Sequence, residues 1–512
     1  MGAVAAMDPA VASEAGTRAS WARQILLQAT LLGLLADAML RDAPWGVGLT
    51  IWISALASTV ALLVLRRGAR LTREQSTWLL VSVACAGAFA TRDAEMLQLA
   101  NFVATIFALA MAAMALSGGP QPSILASRLR DVLRAWQYAA RDALAGAVPL
   151  WTREANVPAA VRASTVGRSP ALRATLLTLA LVLIFGKLLA SADPVFATLF
   201  SVPEMDFGDL VSHVVIAGIF AWLCAGWMRG ALMSARNRPA AGERLPFALG
   251  VVEITASLGA LNALFALFVG MQLTWLFGGA DIVRETTGLT LAAYARHGFF
   301  ELVSVAALVL PVLLVTRAAA AGDDEALRRH RRLAMPLLGF LGAIMLSAVF
   351  RMRLYVLYFG LTTDRLYALV FMAWLAIVFV CMAMTVLRGW SRPFATMTVA
   401  SAYGTLFLLN VASPEALVAR VDLARSASER SVDYAYLTTL SGDASPVVAS
   451  ALQSGTPNQE SCRAARMLYG RWARKPHRPF PQWNLGAARG ESVVLARLTP
   501  HSLRRLCGYS KT

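Results

Sequence analysis

The stretch LYALVFMAWLAIVFVCMAMTVL, from Leu366 to Leu387, holds no charged residue, no proline and no glycine. An α-helix rises about 1.5 Å per residue and the hydrocarbon core of a bilayer is about 30 Å thick, so a run of this length crosses it once. In lipid a helix pairs its own backbone groups within the segment. Working outward, ten further apolar runs stand at Gln24 to Leu40, Val47 to Leu65, Trp78 to Ala90, Leu97 to Leu116, Leu172 to Ala190, Leu210 to Met233, Phe247 to Phe277, Phe299 to Thr316, Leu333 to Tyr355 and Phe394 to Val411. Asp37 interrupts the first of these, and the third is short. The expected fold is an all-α polytopic membrane protein of about 11 transmembrane helices.

Composition agrees. The chain of 512 residues is 57% apolar and 15% charged, with a mean hydropathy of +0.58, whereas an ordinary soluble chain carries about 25% charge. A soluble enzyme of several compact domains is disfavoured on that ground. The net charge of +17 comes from 47 Lys and Arg against 30 Asp and Glu. It is spread over the connections between apolar runs and forms no stripe on one soluble face, so nucleic acid is not an expected partner.

Cytoplasmic loops retain positive charge, and this fixes the expected threading. With the N-terminus inside, 25 of the basic residues fall on inner segments and eight on outer ones, with 14 in the tail after Val411. The alternation fails only after the ninth run, where Arg351, Arg353 and Arg365 lie outside. An odd number of crossings leaves the C-terminus outside. No small-residue cleavage site precedes the first run, so no removable signal peptide is expected. The resulting organisation is an inner tail at 1–23, four helices at 24–116, a basic inner loop at 117–171, seven helices at 172–411 and an outer helical region at 412–512.

Two regions lie outside the bilayer in this reading. Between Arg128 and Leu144, Leu129, Val132, Leu133, Trp136, Ala140 and Leu144 share one helical face while Arg128, Arg130, Arg134 and Arg141 occupy others. Such a helix suits either the inner leaflet, with anionic lipid as its partner, or packing against the bundle. In the tail, Ser413-Pro414-Glu415 reads as a helix start, Val432 to Leu440 as a second element and Cys462 to Lys475 as a third. Cys85, Cys224 and Cys381 sit in or beside apolar runs, while Cys462 and Cys507 sit in the tail, where an oxidising compartment permits a disulfide. Adding His477 and His501 gives no recognised zinc spacing, so no metal is expected.

Ionisable residues on spanning helices are costly and tend to face a protein interior or wet cavity. Several converge near the outer boundary: Lys187 and Asp193 after the fifth run, Gln272 in the seventh, Tyr294, His297 and Glu301 at the eighth, and Arg351, Arg353 and Tyr355 at the end of the ninth. His297 and Glu301, four apart, share a helix face. Arg351 and Arg353, two apart, diverge, so at most one can point inward with Glu301. Glu253 lies in the inner part of the seventh run. The candidate solute- or ion-binding residues are therefore Glu301, Arg351, Arg353, Tyr355, His297, Glu253, Asp193 and Gln272. Each also has a structural reading: Glu301 with an arginine as a packing ion pair, Glu253 snorkelling to the inner surface, and Gly226 with Gly230 as a small-residue packing contact.

The strings SADPVF (Ser191 to Phe196), QLTWLFGG (Gln272 to Gly279), YARHGFFEL (Tyr294 to Leu302), RMRLYVLYFGLTTDR (Arg351 to Arg365), SPEALVARVDLAR (Ser413 to Arg425) and YLTTLSGDASP (Tyr436 to Pro446) resemble the bacterial membrane family known as domain of unknown function 4173, close to 4153. The resemblance runs from about Leu172 into the tail. His297 stands where that pattern has arginine, and Val421-Asp422-Leu423 where it favours asparagine. What the resemblance implies is a polytopic inner-membrane protein with no assigned reaction.

The chain has no GxxxxGK[ST], no GxGxxG after a strand, no HExxH and no GxSxG, so nucleotide-driven transport by this chain alone is disfavoured and no cofactor is expected. Binding or transport of a polar solute through a cavity near the outer face is the leading expectation. A membrane enzyme acting on a lipid-linked or envelope substrate, and a non-catalytic scaffold or signalling component, are the alternatives.

Overall fold

The computed structural model describes residues 9–42, 45–117, 129–157, 169–171, single positions between 174 and 185, 207–234, 248–287, 299–320, 322–389, 392–425, 432–455, 458–474 and 478–508. Among them there is no strand. The helices are α1 (Pro9–Leu40), α2 (Val47–Arg66), α3 (Arg73–Thr91), α4 (Glu95–Leu116), α5 (Leu129–Ala145), α6 (Phe207–Leu232), α7 (Val251–Thr287), α8 (Phe299–Ala319), α9 (Asp324–Phe359), α10 (Thr363–Met384), α11 (Arg392–Ala412), α12 (Pro414–Arg425), α13 (Tyr434–Leu437), α14 (Ser445–Ser454), α15 (Gln459–Ala473), α16 (Leu485–Arg497) and α17 (Pro500–Cys507). A π turn at Leu150–Glu154 follows α5.

Nine helices among the described residues are long and apolar enough to cross a membrane: those within α1, α2, α4 and α6 to α11. Their outward surface confirms what solvates them. Leu264, Leu267, Leu308, Phe407 and Leu408 are all more than half exposed, a surface that water would not tolerate over so many helices. The chain is a multi-pass membrane protein. The expected third run forms α3 but is not among the nine, and the fifth, Leu172 to Ala190, lies largely outside the described residues.

Helix α9 begins nine residues before the apolar run that announced it, because Asp323 caps it by accepting N–H bonds from Glu325 (2.8 Å) and Ala326 (3.2 Å). Its first turns are the basic segment Arg328 to Arg332. At the far end of the membrane region, α11 stops at Ala412 and Ser413 takes a left-handed φ of 53° before Pro414 opens α12.

Two compact units emerge, 1–86 with 105–119 and 134–236, and 87–104 with 120–133 and 237–512. In the first, α1 and α6 approach so closely that a Cβ on Gly33 would stand 2.3 Å from the Ala217 carbonyl oxygen. Trp52 donates its indole N–H to the Leu32 carbonyl (3.0 Å) and meets Phe220 edge-on at 5.3 Å. Near the ends of the same two helices Asp37 joins His213 and, at 3.2 Å, Arg41.

In the second unit Ile254, Leu258, Leu313, Leu337, Leu341, Val378 and Met382 are fully or almost fully buried where α7, α8, α9 and α10 meet. The tail builds a separate core from Val418, Leu437, Val448, Leu452, Leu468, Trp472, Val494 and Leu498. Leu361, between α9 and α10, belongs to that core, so the helical cap closes over the α9–α10 link. Cys462 of α15 and Cys507 of α17 form a disulfide, Cα atoms 5.1 Å apart.

Candidate functional site

The link Phe359-Gly360-Leu361-Thr362-Thr363-Asp364-Arg365 leaves four helical carbonyls and four helical N–H groups needing partners, and the cap supplies several. Gly360, at φ 84°, ends α9; a Cβ there would stand 2.6 Å from the Arg425 guanidinium and 3.0 Å from the Asp422 carboxylate, so the position takes only glycine. Leu361 donates its N–H to Asp422 Oδ1 (2.7 Å), Thr363 donates to the Tyr436 hydroxyl (2.9 Å), and Arg425 donates to the Leu357 carbonyl (2.9 Å). Arg425 also pairs with Asp422 at 3.5 Å. Arg365 donates to the Gly360 carbonyl and lies 4.1 Å over the Tyr355 ring. Burial pushes the Asp422 carboxyl up from its ordinary value, while the Leu361 N–H and Arg425 pull it back.

Beside this link lies a pocket of about 820 Å³. Phe359 and Gly360 form its membrane-side wall, Asp422 and Arg425 come from α12, Val432, Asp433, Tyr434 and Ala435 from the start of α13, and Glu460, Arg463, Ala464 and Met467 from α15. Three of its charges are committed to structure. Asp422 and Arg425 hold the link, and Asp433 caps α13 through the Tyr436 N–H at 2.9 Å. Glu460 and Arg463 are exposed and make no ion pair among the described residues. Among the described residues the pocket therefore offers one guanidinium and one carboxylate without an ion pair, and an apolar wall of Phe359, Val432 and Met467.

A second polar knot fastens the cap. Asp443 Oδ2 accepts the N–H groups of Asp93 (2.8 Å) and Ala94 (3.2 Å) at the start of α4. Asp93 returns the bond, accepting from Gly442 N–H (2.8 Å), Arg478 (3.1 Å) and Asn484 (3.1 Å). Glu415 accepts the Ser441 N–H, and Arg92 faces Asp443 at 3.8 Å. Gly442, Gly486 and Gly490 let the backbones meet, since a Cβ on Gly486 would lie 2.4 Å from Asp443 Oδ1. Burial raises the Asp443 and Glu415 carboxyls above their ordinary values; the Asp93 carboxylate adds to both, and Asp443 adds to Glu415. Deeper along α4, Asn101 and Asn410 of α11 exchange amide hydrogen bonds at 3.1 and 3.0 Å.

The residues expected from sequence are dispersed. Arg351 and Ser347 of α9 both donate to Gln272 Oε1 of α7 at 2.8 Å. Glu301 is exposed and makes no ion pair among the described residues, so the described geometry joins Arg351 to Gln272 and not to Glu301. Arg353 is exposed. Tyr355 belongs to the link through Arg365. Glu253 accepts the Gly250 N–H at 3.0 Å, closing the first turn of α7. His297 and Asp193 lie outside the described residues. Glu460, Arg463, Asp433 and Asp443 were missed, because they sit in a polar tail where charge is unremarkable. The strings FGLTTDR, SPEALVARVDLAR and YLTTLSGDASP marked the neighbourhood, the second carrying Asp422 and Arg425.

With this geometry in hand the comparisons are informative. A family model, domain of unknown function 4153 (DUF4153), matches residues 79–451. The chain belongs to this family. The DUF4153 match runs from α3 into α14, so it contains both sides of the Asp93–Asp443 knot and the whole α9–α10 link, and it ends before Glu460 and Arg463. It also starts well before Leu172, where the resemblance in the sequence began. No curated protein and no solved structure matches the chain.

Proposed function

We propose that this DUF4153 protein binds a polar solute carrying both an anionic and a cationic or hydrogen-bond-donating group, in the pocket between the α9–α10 link and the cap. The observation that carries the reading is that Glu460 and Arg463, one turn apart on α15 and without an ion pair among the described residues, line a pocket of about 820 Å³ whose other charges are already spent. A guanidinium recognises carboxylate or phosphate by charge-assisted, often bidentate, hydrogen bonds, and ligand pockets combine an apolar lining with a few such groups.

The threading that supports this role is the one with the N-terminus inside and the C-terminus outside, eleven crossings and residence in the inner membrane of a bacterium. The Cys462–Cys507 disulfide favours it, since such bonds persist in oxidising compartments. The pocket then opens on the outer face. Carriage of the solute onward across the bilayer is the stronger form of the reading, for which Gln272, Ser347 and Arg351 supply polar groups between α7 and α9.

The test is calorimetric titration of the full chain in nanodiscs with a panel of amino acids, dipeptides and phosphorylated small solutes. At least one member should bind, and Arg463→Ala should weaken it about tenfold or more, the scale of a lost charged hydrogen bond. If no member binds, or if binding survives Arg463→Ala together with Glu460→Gln, the reading is wrong. Flux of the bound solute into proteoliposomes separates carriage from binding alone.

A further inference from the structure

Helix α5 presents three faces. Asp142, and Gly146 just past the helix end, turn toward α6: a Cβ on Gly226 would stand 2.2 Å from the Asp142 carbonyl oxygen, one on Gly230 would meet the Asp142 carboxylate, and one on Gly146 would stand 2.8 Å from the Gly226 carbonyl oxygen. Trp222 of α6 donates its indole N–H to the Leu144 carbonyl at 2.8 Å, satisfying one of the carbonyls that a helix end leaves open. The second face is apolar and uncovered, with Leu133 59%, Trp136 48% and Leu144 67% exposed; Val148 and Trp151 continue it through the following turns at 47% and 50%. The third is a basic edge containing Arg134 and Arg141, extended by Arg153.

The depth of this helix is set by where it docks. Gly226 and Gly230 lie in the last two turns of the membrane-crossing part of α6, Gly208–Leu232. Arg229 in the same turns is clamped to Glu154 by two hydrogen bonds, 2.8 and 3.0 Å, which fixes the π turn beyond α5 at that level too. An apolar face held at the end of a spanning helix meets the boundary between acyl chains and headgroups, and a basic edge beside it meets whatever charge those headgroups carry.

We infer that α5 and the turn after it form an in-plane helix whose Leu133–Trp136–Leu144 face is inserted into one leaflet, held there by anionic lipid against Arg141 and Arg153. The threading by charge makes that leaflet the cytoplasmic one. The inference does not involve the cap pocket.

The test uses single cysteine variants of the full chain. The native thiols do not compete, since Cys85, Cys224 and Cys381 are buried and the other two are bridged. Trp136→Cys, and Ser454→Cys at the exposed end of α14 as the water-facing reference, are spin-labelled and reconstituted into vesicles of phosphatidylcholine alone or with about one-third phosphatidylglycerol. Collision with oxygen, which concentrates in lipid, is compared with collision with a water-soluble nickel chelate. In the anionic vesicles position 136 should favour oxygen and position 454 the chelate. Replacing Arg141 by Glu should lower the inserted population about fivefold or more, the scale of one arginine near an anionic surface. Three results would overturn the inference: a chelate-accessible position 136 in anionic vesicles, exclusion of both reagents, which would place protein and not lipid on that face, or the same behaviour in both compositions.

Discussion

Two sets of charges in the cap behave in opposite ways. Asp93, Asp443 and Glu415 are largely buried and spend their oxygens on backbone N–H groups of α4 and of the Ser441-Gly442 turn. Glu460 and Arg463, on one face of α15, are exposed and make no ion pair among the described residues. The first set fastens and the second is available. Burial without a partner is expensive, so a buried carboxylate in a fold is usually there because a backbone donor needed it. An exposed one needs no such justification and can serve a ligand.

Breaking the fastening should have the largest effect. Asp443→Ala leaves the N–H groups of Asp93 and Ala94 buried without acceptors and strands Arg92, and it should cost about 3 kcal/mol or more. Thermal unfolding of the purified chain, or trypsin cleavage within the tail, should show it; unchanged protease resistance would mean the knot does not hold the cap. Reducing the disulfide, or Cys462→Ser, opens a covalent loop with a sequence separation of 45 and should cost about 2–4 kcal/mol. The cap should then become protease-sensitive while the membrane-embedded helices remain intact.

A subtler change sharpens the comparison. Because the fold raises the Glu415 and Asp443 carboxyls, the folded chain binds protons that the unfolded chain has released. For these groups the folded state is therefore favoured at low pH. It loses that advantage as pH climbs from their ordinary values of 4.5 and 3.8 through the raised ones. Melting temperature should rise modestly as the pH falls from neutral into the acid range. Glu415→Gln, which keeps an acceptor for Ser441 while removing the buried charge, should flatten part of that slope. A steeper slope in the variant would contradict the assignment. The smallest effect belongs to Glu301→Gln, a change at an exposed residue, which should shift stability by no more than about 0.5 kcal/mol and leave solute binding unchanged in the same titration.

Much of the fold was legible because it depends on local windows of sequence. Run length and sparse charge located the nine apolar helices found among the described residues, and Cys462 and Cys507 form the disulfide that the sequence allowed. Gly226 and Gly230 were read as a packing contact, but their partner is the end of α5, which no spacing could reveal. Glu301 and Arg351 looked like partners because both are charged and both lie near helix ends. Arg351 turns to Gln272 because the α7–α9 seam places that amide beside it.

Sequence alone determined that this chain crosses lipid many times, since a helix must bury its backbone polar groups in itself and an apolar run of sufficient length has no cheaper solvent than a bilayer. Tertiary structure alone decided which polar groups are fastenings and which are free. That choice rests on contacts such as Asp443 with the Asp93 N–H, 350 positions apart, and on backbone approaches that only Gly360, Gly442 and Gly486 permit. Hydrogen bonds reach about 3 Å whatever the separation along the chain, so folding, and not residue order, selects the partners.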